Sequence, residues 1–249
     1  MLTPKPEDFR SLLEVFREGL KCSLVSPNTI VAWADEIIKS ADEPDYFFIE
    51  ISLSSDVNQL LEILNRYDAE IKEPICARVL LSLIYCRLMN DDDALNVAGA
   101  AVLIGRLVFS SELTDFECDN MYVFEDYECC YSDDTQLEVD IIDFLSTYEA
   151  FNLQNYDQWP QINSQVEEIL KEKKAEADKI YEGIKIAREK NKRKLKIKKN
   201  VARALFIVIL VGCCLGLLVE QPPGSTGAFY FVFAAYLILR WGLRWWKKK

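Results

Sequence analysis

A dense basic block followed by an uncharged apolar stretch is the feature that most constrains what this chain can form. Residues 190–200, KNKRKLKIKKN, contain seven Lys or Arg, and residues 204–219 contain no charged side chain. With residues 201–203 added, the apolar stretch approaches the roughly 20 residues that cross a ~30 Å hydrocarbon core. A basic flank is typical of the cytoplasmic end of a transmembrane helix. The sequence therefore predicts a membrane span, with a buried helix of a soluble core as the alternative.

A second apolar segment follows a turn. Residues 221–227, QPPGSTG, cannot continue a helix because two prolines and a glycine stand together. Residues 228–246 are long enough for a second span, although only residues 228–239 are free of charge. A re-entrant or interfacial helix is the alternative. Residues 201–247 are therefore predicted to form a two-helix transmembrane hairpin.

The charges that flank the predicted hairpin set its orientation. Both outer ends are basic, whereas the connecting loop carries Glu220 and no Lys or Arg. The positive-inside rule then places both chain termini in the cytoplasm, as in a multi-pass protein of the inner (plasma) membrane. Basic residues near the surface attract anionic lipid by about 1 kcal/mol each. The predicted membrane-interface residues are Lys192, Arg193, Lys194, Lys196, Lys198, Lys199, Arg203, Arg240, Trp241, Arg244, Trp245 and Trp246.

Two glycines within the first predicted span favour close helix packing. Gly212 and Gly216 form a GxxxG pattern, and helix backbones approach closely where side chains are missing. The partner helix is either the second helix of the same hairpin or a helix of another copy of the chain. The residues leave both arrangements open.

The segment before the basic block has the pattern of a long helix. Residues 161–200 place apolar side chains at spacings of three and four, which predicts a helical stalk. Lys173 interrupts the apolar seam, so a strict coiled-coil heptad is not sustained. From Asn163 to Asn200 such a helix would extend about 57 Å. It would hold the preceding domain away from lipid or pair with a second copy.

The two parts of the chain carry opposite charge. Residues 1–160 contain 32 Asp or Glu and 10 Lys or Arg, a net charge of −22, whereas residues 161–249 carry +11. Residues 1–150 form a succession of helical patterns, one opening at Ser26 and Pro27 and one, at residues 73–89, that is apolar almost all round. Asp91 or Asp92 is predicted to cap the next helix. The fold class is therefore all-α: an acidic helical bundle, a long helical stalk and the hairpin.

Residues 111–134 are the most unusual part of the acidic domain. They contain nine acids and five aromatic residues without a clear helical period, so we predict a loop. One interpretation is a recognition surface for a basic protein, with aromatic anchors among carboxylates. The other is that the aromatics pack on the bundle while the acids face water. The predicted partner-binding residues are Asp115, Phe116, Glu117, Asp119, Tyr122, Phe124, Glu125, Asp126, Tyr127, Glu128 and Tyr131.

Several chemical classes are disfavoured by the composition. The chain has no histidine, which excludes Ser-His and Cys-His nucleophilic sites. It has no phosphate-binding glycine motif and no CxxC pair. The acidic domain repels nucleic acid, and the basic block lacks the interleaved aromatics of a single-strand groove. We therefore predict a protein that is not an enzyme and that uses no cofactor, metal or nucleic acid.

The run TIVAWADEIIKSADEPDYFFIEISLS, followed by a leucine-rich helix, resembles the opening of small, acidic, mostly helical bacterial proteins. The resemblance covers residues 12–150, and some such proteins act in toxin immunity or defence. It implies an immunity-like or regulatory role. The function predicted from the whole sequence is a membrane-anchored cytoplasmic module that binds a basic protein partner. The alternative is a membrane effector whose hairpins assemble and perturb the bilayer after the helical head senses a signal.

Overall fold

In a computed structural model, residues 4–67, 73–90, 95–108, 113–130, 133–219 and 236 are described. Within these ranges the regular structure is helical, which confirms the predicted all-α class. Two short 3₁₀ helices cover Pro6–Phe9 and Leu153–Gln158. The α-helices are α1 Arg10–Lys21, α2 Pro27–Ser40, α3 Tyr46–Ser52, α4 Val57–Asn65, α5 Pro74–Leu88, α6 Val97–Val108, α7 Asp115–Glu125, α8 Tyr127–Cys130, α9 Asp134–Ser146 and α10 Trp159–Val219.

The chain divides into two compact units, of which the first, Met1–Glu176, is called the head. Helix α5 lies at the centre of the head and packs against α1, α6 and α9. Its sequence explains this position, because side chains all round the helix are buried, including Val79, Leu81 and Ile84. Each fully buried side chain of this size stabilises the fold by about 1.5–3 kcal/mol.

Capping residues fix where the helices of the head begin. The Ser26 hydroxyl accepts a hydrogen bond from the backbone N–H of Thr29 at 3.1 Å, which confirms the predicted start of α2. Helix α4 begins at Val57 because the Asp56 carboxylate is its N-cap and accepts from the N–H groups of Asn58 and Gln59 at 2.8 and 3.0 Å. Val57 itself is 39% exposed. The predicted caps Asp91 and Asp92 lie outside the described residues.

The head continues into the first turns of α10. Trp159, Ile162, Val166 and Leu170 recur every three or four residues and are buried in the core. The Trp159 indole N–H donates to the backbone oxygen of Asn152 at 2.9 Å, which satisfies the buried donor. The compact unit therefore extends beyond the predicted boundary at residue 150 and includes the start of the predicted stalk.

The second unit begins at Ala177, and its backbone is helical through Val219. All side chains of residues 177–208 are exposed to solvent. Among the described residues, no helix combines the length and the apolar character that a membrane crossing requires. The predicted second segment, residues 228–246, lies outside the described part of the chain except for Tyr236.

Candidate partner-binding surface

The acid-rich segment that we predicted to be a loop contains helix α7. The helix begins with a capping box: the Thr114 hydroxyl accepts from the Glu117 N–H at 3.3 Å, and the Glu117 carboxylate accepts from the Thr114 N–H at 2.9 Å. Its inward face consists of Glu117, Met121 and Phe124, spaced by four and three residues. The loop prediction was wrong because a buried carboxylate occupies one position of this face, which hides the helical period.

Glu117, which we predicted to bind a partner, is buried inside the head. Its carboxylate accepts two hydrogen bonds from the Arg78 guanidinium, with Nε–Oε1 and Nη2–Oε2 distances of 2.9 Å each. The side chains of Glu117 and Arg78 are 0% and 1% exposed. A bidentate arginine–carboxylate pair has a fixed geometry as well as a strong attraction. Glu117 therefore holds the inward face of α7 in place and is not part of an accessible surface.

The buried pair belongs to a polar network that joins several elements. The Tyr148 hydroxyl, in the turn after α9, donates to Glu117 Oε1 at 3.0 Å. Arg78 Nη1 donates to Asn163 Oδ1 at 2.6 Å and to Glu167 Oε1 at 3.3 Å, both on α10. Such bonding is needed because an unpaired buried charge would be strongly destabilising. The network ties α7 to the central helix α5 and to the start of α10.

The network keeps its charges at neutral pH. Burial alone would raise the pKa of Glu117, but hydrogen bonds and charge from Arg78 outweigh it and hold this pKa below its ordinary value. Burial also opposes the charge on Arg78, yet Glu117 raises the Arg78 pKa. Burial and the adjacent Glu117 raise the pKa of Tyr148 well above its ordinary value, so its hydroxyl keeps the proton it donates.

The opposite side of α7 is an exposed acidic stripe, defined here as Asp115, Asp119, Tyr122 and Asp126. Asp115, Asp119 and Tyr122 are spaced by four and three positions along one face of α7, and Asp126 follows as the C-cap residue of the helix. All four are exposed, and Tyr122 is 47% exposed. The stripe combines negative charge with an amphipathic aromatic side chain, a residue type enriched at protein interfaces.

The other predicted partner-binding residues have different positions. Phe124 is buried and makes an edge-to-face contact with Phe144, with ring centroids 5.4 Å apart. Phe116 and Tyr127 are partly buried against the core, and Glu125 is exposed. The side chain of Glu128 and residue Tyr131 lie outside the described part of the structure. The segment thus divides into packed aromatics and an acidic exterior, with Tyr122 on the outer side.

A groove lies between α7, α9 and α10. It has a volume of about 230 Å³ and is lined by Phe116 and Phe124 of α7, Asp140 and Asp143 of α9, and Lys173 of α10, among others. The two aspartates and the position of Lys173 in the groove were not predicted from the sequence. The two aspartates are three residues apart, so their position on one face of a helix could have been predicted from the sequence. Their meeting with α7 and α10 required the tertiary fold.

The predicted membrane and packing residues occupy the second unit. Lys192, Arg193, Lys194, Lys196, Lys198, Lys199 and Arg203 are exposed along α10. Gly212 and Gly216 lie within the helical backbone of α10. Arg240, Trp241, Arg244, Trp245 and Trp246 lie outside the described residues.

Comparison with known proteins does not supply a family for this chain. No family model, no curated protein and no solved structure matches it. The resemblance of residues 12–150 to small acidic bacterial proteins therefore transfers no residue role. A function must be argued from charge, burial and geometry alone.

Proposed function

We propose that this chain is a membrane-anchored interaction module whose acidic head binds a basic protein partner at the cytoplasmic face of the membrane. Such a role is that of an immunity-like or regulatory protein. The acidic stripe on α7 is the observation that carries the proposal. It consists of exposed carboxylates around Tyr122, on a helix whose inner face is fixed by a buried ion pair.

The rigidity of α7 matters for binding. A surface that is already ordered loses little conformational entropy when a partner docks, so more of the interaction energy appears as affinity. The inner face of α7 holds its position through Glu117, Met121 and Phe124, all buried. The capping box orders its first turn. The acidic stripe is thus presented on a preorganised support.

The charge of the head favours a cationic partner. Residues 1–160 carry a net charge of −22, which attracts basic proteins over distances comparable to the Debye length. Electrostatic complementarity of this kind raises the association rate and excludes acidic partners. Binding should consequently weaken as salt is added.

The membrane anchor is supported by the sequence of residues 190–247. The basic block, the uncharged residues 204–219 and the following aromatic segment fit the rules for a hairpin with cytoplasmic ends. Carbonate extraction of cell membranes tests this part. The full chain should stay with the membrane pellet, and a chain truncated after Asn200 should be released. Release of the full chain would contradict the anchor.

Binding of a basic ligand is tested with the full-length chain in a nonionic detergent. Fluorescence anisotropy of labelled hexalysine is measured with hexaglutamate as the charge-reversed control. We expect hexalysine to bind at ~50 mM salt and to weaken by about tenfold or more at ~300 mM. Hexaglutamate should not bind. If hexalysine fails to bind at the lower salt concentration, the proposed function is wrong.

A second candidate function is a membrane effector, in which hairpins of several copies assemble and perturb the bilayer. The observation that favours it is that the helix of α10 continues through both Gly212 and Gly216. On one helix these glycines lie on the same face, where another helix backbone can approach. Changing both to leucine should then abolish the loss of membrane potential on overexpression. An overexpressed wild-type chain that leaves the potential intact rules out this candidate.

A further inference from the structure

The groove between α7, α9 and α10 combines an aromatic floor with an acidic rim. Phe116, Phe124 and Phe144 line it, and Asp140 and Asp143 stand beside them. Asp143 is 75% exposed, so its carboxylate is accessible from outside. An apolar surface next to carboxylates matches the chemistry of a long cationic side chain, which has an aliphatic stem and a charged tip.

A lysine of the chain itself already uses this arrangement. Lys173 Nζ donates to Asp143 Oδ2 at 3.1 Å and to the backbone oxygen of Asp143 at 3.2 Å. The ion pair is partly exposed, with the lysine side chain at 34%. Pairs of this kind contribute little to stability because water competes for both charges. Lys173 therefore shows where an ammonium group is held and can be replaced there at small cost.

A buried hydroxyl at the same groove has no hydrogen-bond partner among the described residues. It belongs to Thr147, which lines the groove and is about nine-tenths buried. A buried polar group without a partner is unfavourable, and such exceptions are uncommon in folded proteins. The oxygen is closed to solvent, so a ligand in the groove would reach it only after neighbouring side chains shift.

We propose that this groove binds a lysine or arginine side chain of the basic partner, whose cationic group takes the position of Lys173 Nζ at Asp143. The stem lies on the aromatic floor, and the cation gains from both the carboxylates and the aromatic faces. This proposal rests on the proposed function and names the part of the head that recognises the partner. The acidic stripe on α7 attracts the remainder of the basic segment.

A second groove of the head differs from this one in how its carboxylates are used. That one, of about 300 Å³, is lined by Glu7, Asp8 and Glu73, among others. Asp8 there accepts from the Lys5 N–H at 2.9 Å, and Glu73 from the Ser11 hydroxyl at 3.4 Å. These carboxylates serve local capping and crosslinking. In the groove of α7, α9 and α10, by contrast, a cation from a distant helix is already bound.

The test compares two pairs of charge-neutralising substitutions in the full-length chain. Asp140→Asn with Asp143→Asn changes the groove, and Asp42→Asn with Glu43→Gln removes two exposed charges elsewhere on the head. Labelled hexalysine is the probe, read by fluorescence anisotropy. We expect the groove pair to weaken binding by about fivefold or more and the control pair by less than about twofold.

Lys173→Met is a second variant, and it is expected to strengthen hexalysine binding where the aspartate substitutions weaken it. It removes the internal competitor while keeping an apolar stem of similar length, so hexalysine should bind about threefold more tightly. This result does not depend on the aspartate variants being folded.

The outcomes separate the two proposals. Suppose that hexalysine binds the wild-type chain and that the groove and control substitutions weaken this binding equally. The groove proposal is then overturned, and the proposed function stands. Unchanged or weaker binding by Lys173→Met also overturns the groove proposal. If the wild-type chain does not bind hexalysine at low salt, both proposals are wrong.

Discussion

The head and the second unit are both helical, but their helices exist for different reasons. In the head, each long helix buries an apolar face, and α5 is buried on nearly every side. In the second unit, no residue from 177 to 208 is buried, and the apolar side chains of Ile180 and Leu195 are 59% and 60% exposed. Burial thus stabilises the helices of the head. Local helix propensity and i,i+3 ion pairs such as Glu182–Lys185 stabilise the helical backbone of the second unit.

The two units also differ in whether their charged side chains are buried or exposed. The head encloses the Arg78–Glu117 pair completely, whereas every charged side chain of residues 177–208 faces solvent. An enclosed charge is costly to leave unpaired, while an exposed one is hydrated in any conformation. Substitutions of the same chemical kind should therefore have large effects in the head and small effects in the second unit.

The largest difference is expected for removal of a cation. Arg78→Met leaves Glu117 buried without its partner and should lower the free energy of unfolding of the head by about 3–5 kcal/mol. Arg188→Met, in the second unit, should change it by less than about 0.5 kcal/mol. Hydrogen exchange of α5 and α7 peptides, followed by mass spectrometry, measures both variants in the full chain.

A double substitution checks the cause of the Arg78 effect. Arg78→Met combined with Glu117→Leu removes both charges and should recover a large part of the lost stability, because no unpaired charge remains. If the double variant is as unstable as the sum of the single ones, the two side chains do not act as a pair. That outcome would mean that the loss in Arg78→Met comes from something other than an unpaired buried charge.

The second prediction concerns the pH dependence of the same pair. The folded-state pKa of Glu117 lies below its ordinary value of 4.5, so the ionised carboxylate stabilises the head above that pH. This stability is lost as the pH falls through the lowered pKa. Glu117→Gln cannot titrate and should be about 2–3 kcal/mol less stable than wild type at neutral pH. The difference should shrink as the pH falls below the ordinary value.

Unfolding free energies of both proteins over a pH series provide the measurement. The matched control is Glu189→Gln in the second unit, which is exposed and should track wild type at every pH. A constant difference between Glu117→Gln and wild type down to strongly acidic pH would show that the carboxylate charge is not what stabilises α7.

The all-α fold class and the starts of several helices could be predicted from the sequence because they depend on local features. Ser26 at an N-cap and the all-round apolar pattern of α5 are examples. Helix α7 could not be predicted, because Glu117 stands where a hydrophobic residue would mark the buried face. Its burial depends on Arg78, 39 residues away in the chain. Arg78, in the apolar interior of α5, was the available signal that a buried acid must exist.

The candidate site was likewise predicted from the sequence only in part. The acidic character of residues 111–134 was visible in composition, and the exposed positions of Asp115 and Asp119 agree with it. The groove was not visible, because its aspartates come from α9 and its lysine from α10. Lys173 interrupts the apolar seam of the predicted stalk, and its pairing with Asp143 gives the physical reason for that interruption.

The third prediction uses glycine as a probe of packing. The backbone oxygen of Gly19, in α1, accepts from the N–H groups of Leu24 and Val25 at 2.7 and 3.1 Å, where Ser23 turns the chain with a φ of 57°. A Cβ at Gly19 would collide with the Val25 side chain. Alanine should raise the helical propensity, but the overpacking costs more. We expect Gly19→Ala to lower the unfolding free energy of the head by about 1–2 kcal/mol in urea denaturation. An unchanged midpoint would mean that this close approach is relaxed in solution.

The smallest effect, with the opposite sign, is expected for Gly183→Ala in the second unit. Within the described part of the chain, a Cβ at Gly183 would have no neighbouring atom within 4 Å, so only the backbone preference of alanine for the helix acts. The gain of about 1 kcal/mol should slow hydrogen exchange of nearby amides by about fivefold and leave the head unchanged. Together with Gly19→Ala, this substitution separates packing from propensity within one chain. If Gly183→Ala instead speeds exchange, a helix of another copy or of a partner approaches this position, and the contrast between a packed head and an unpacked second unit would no longer hold.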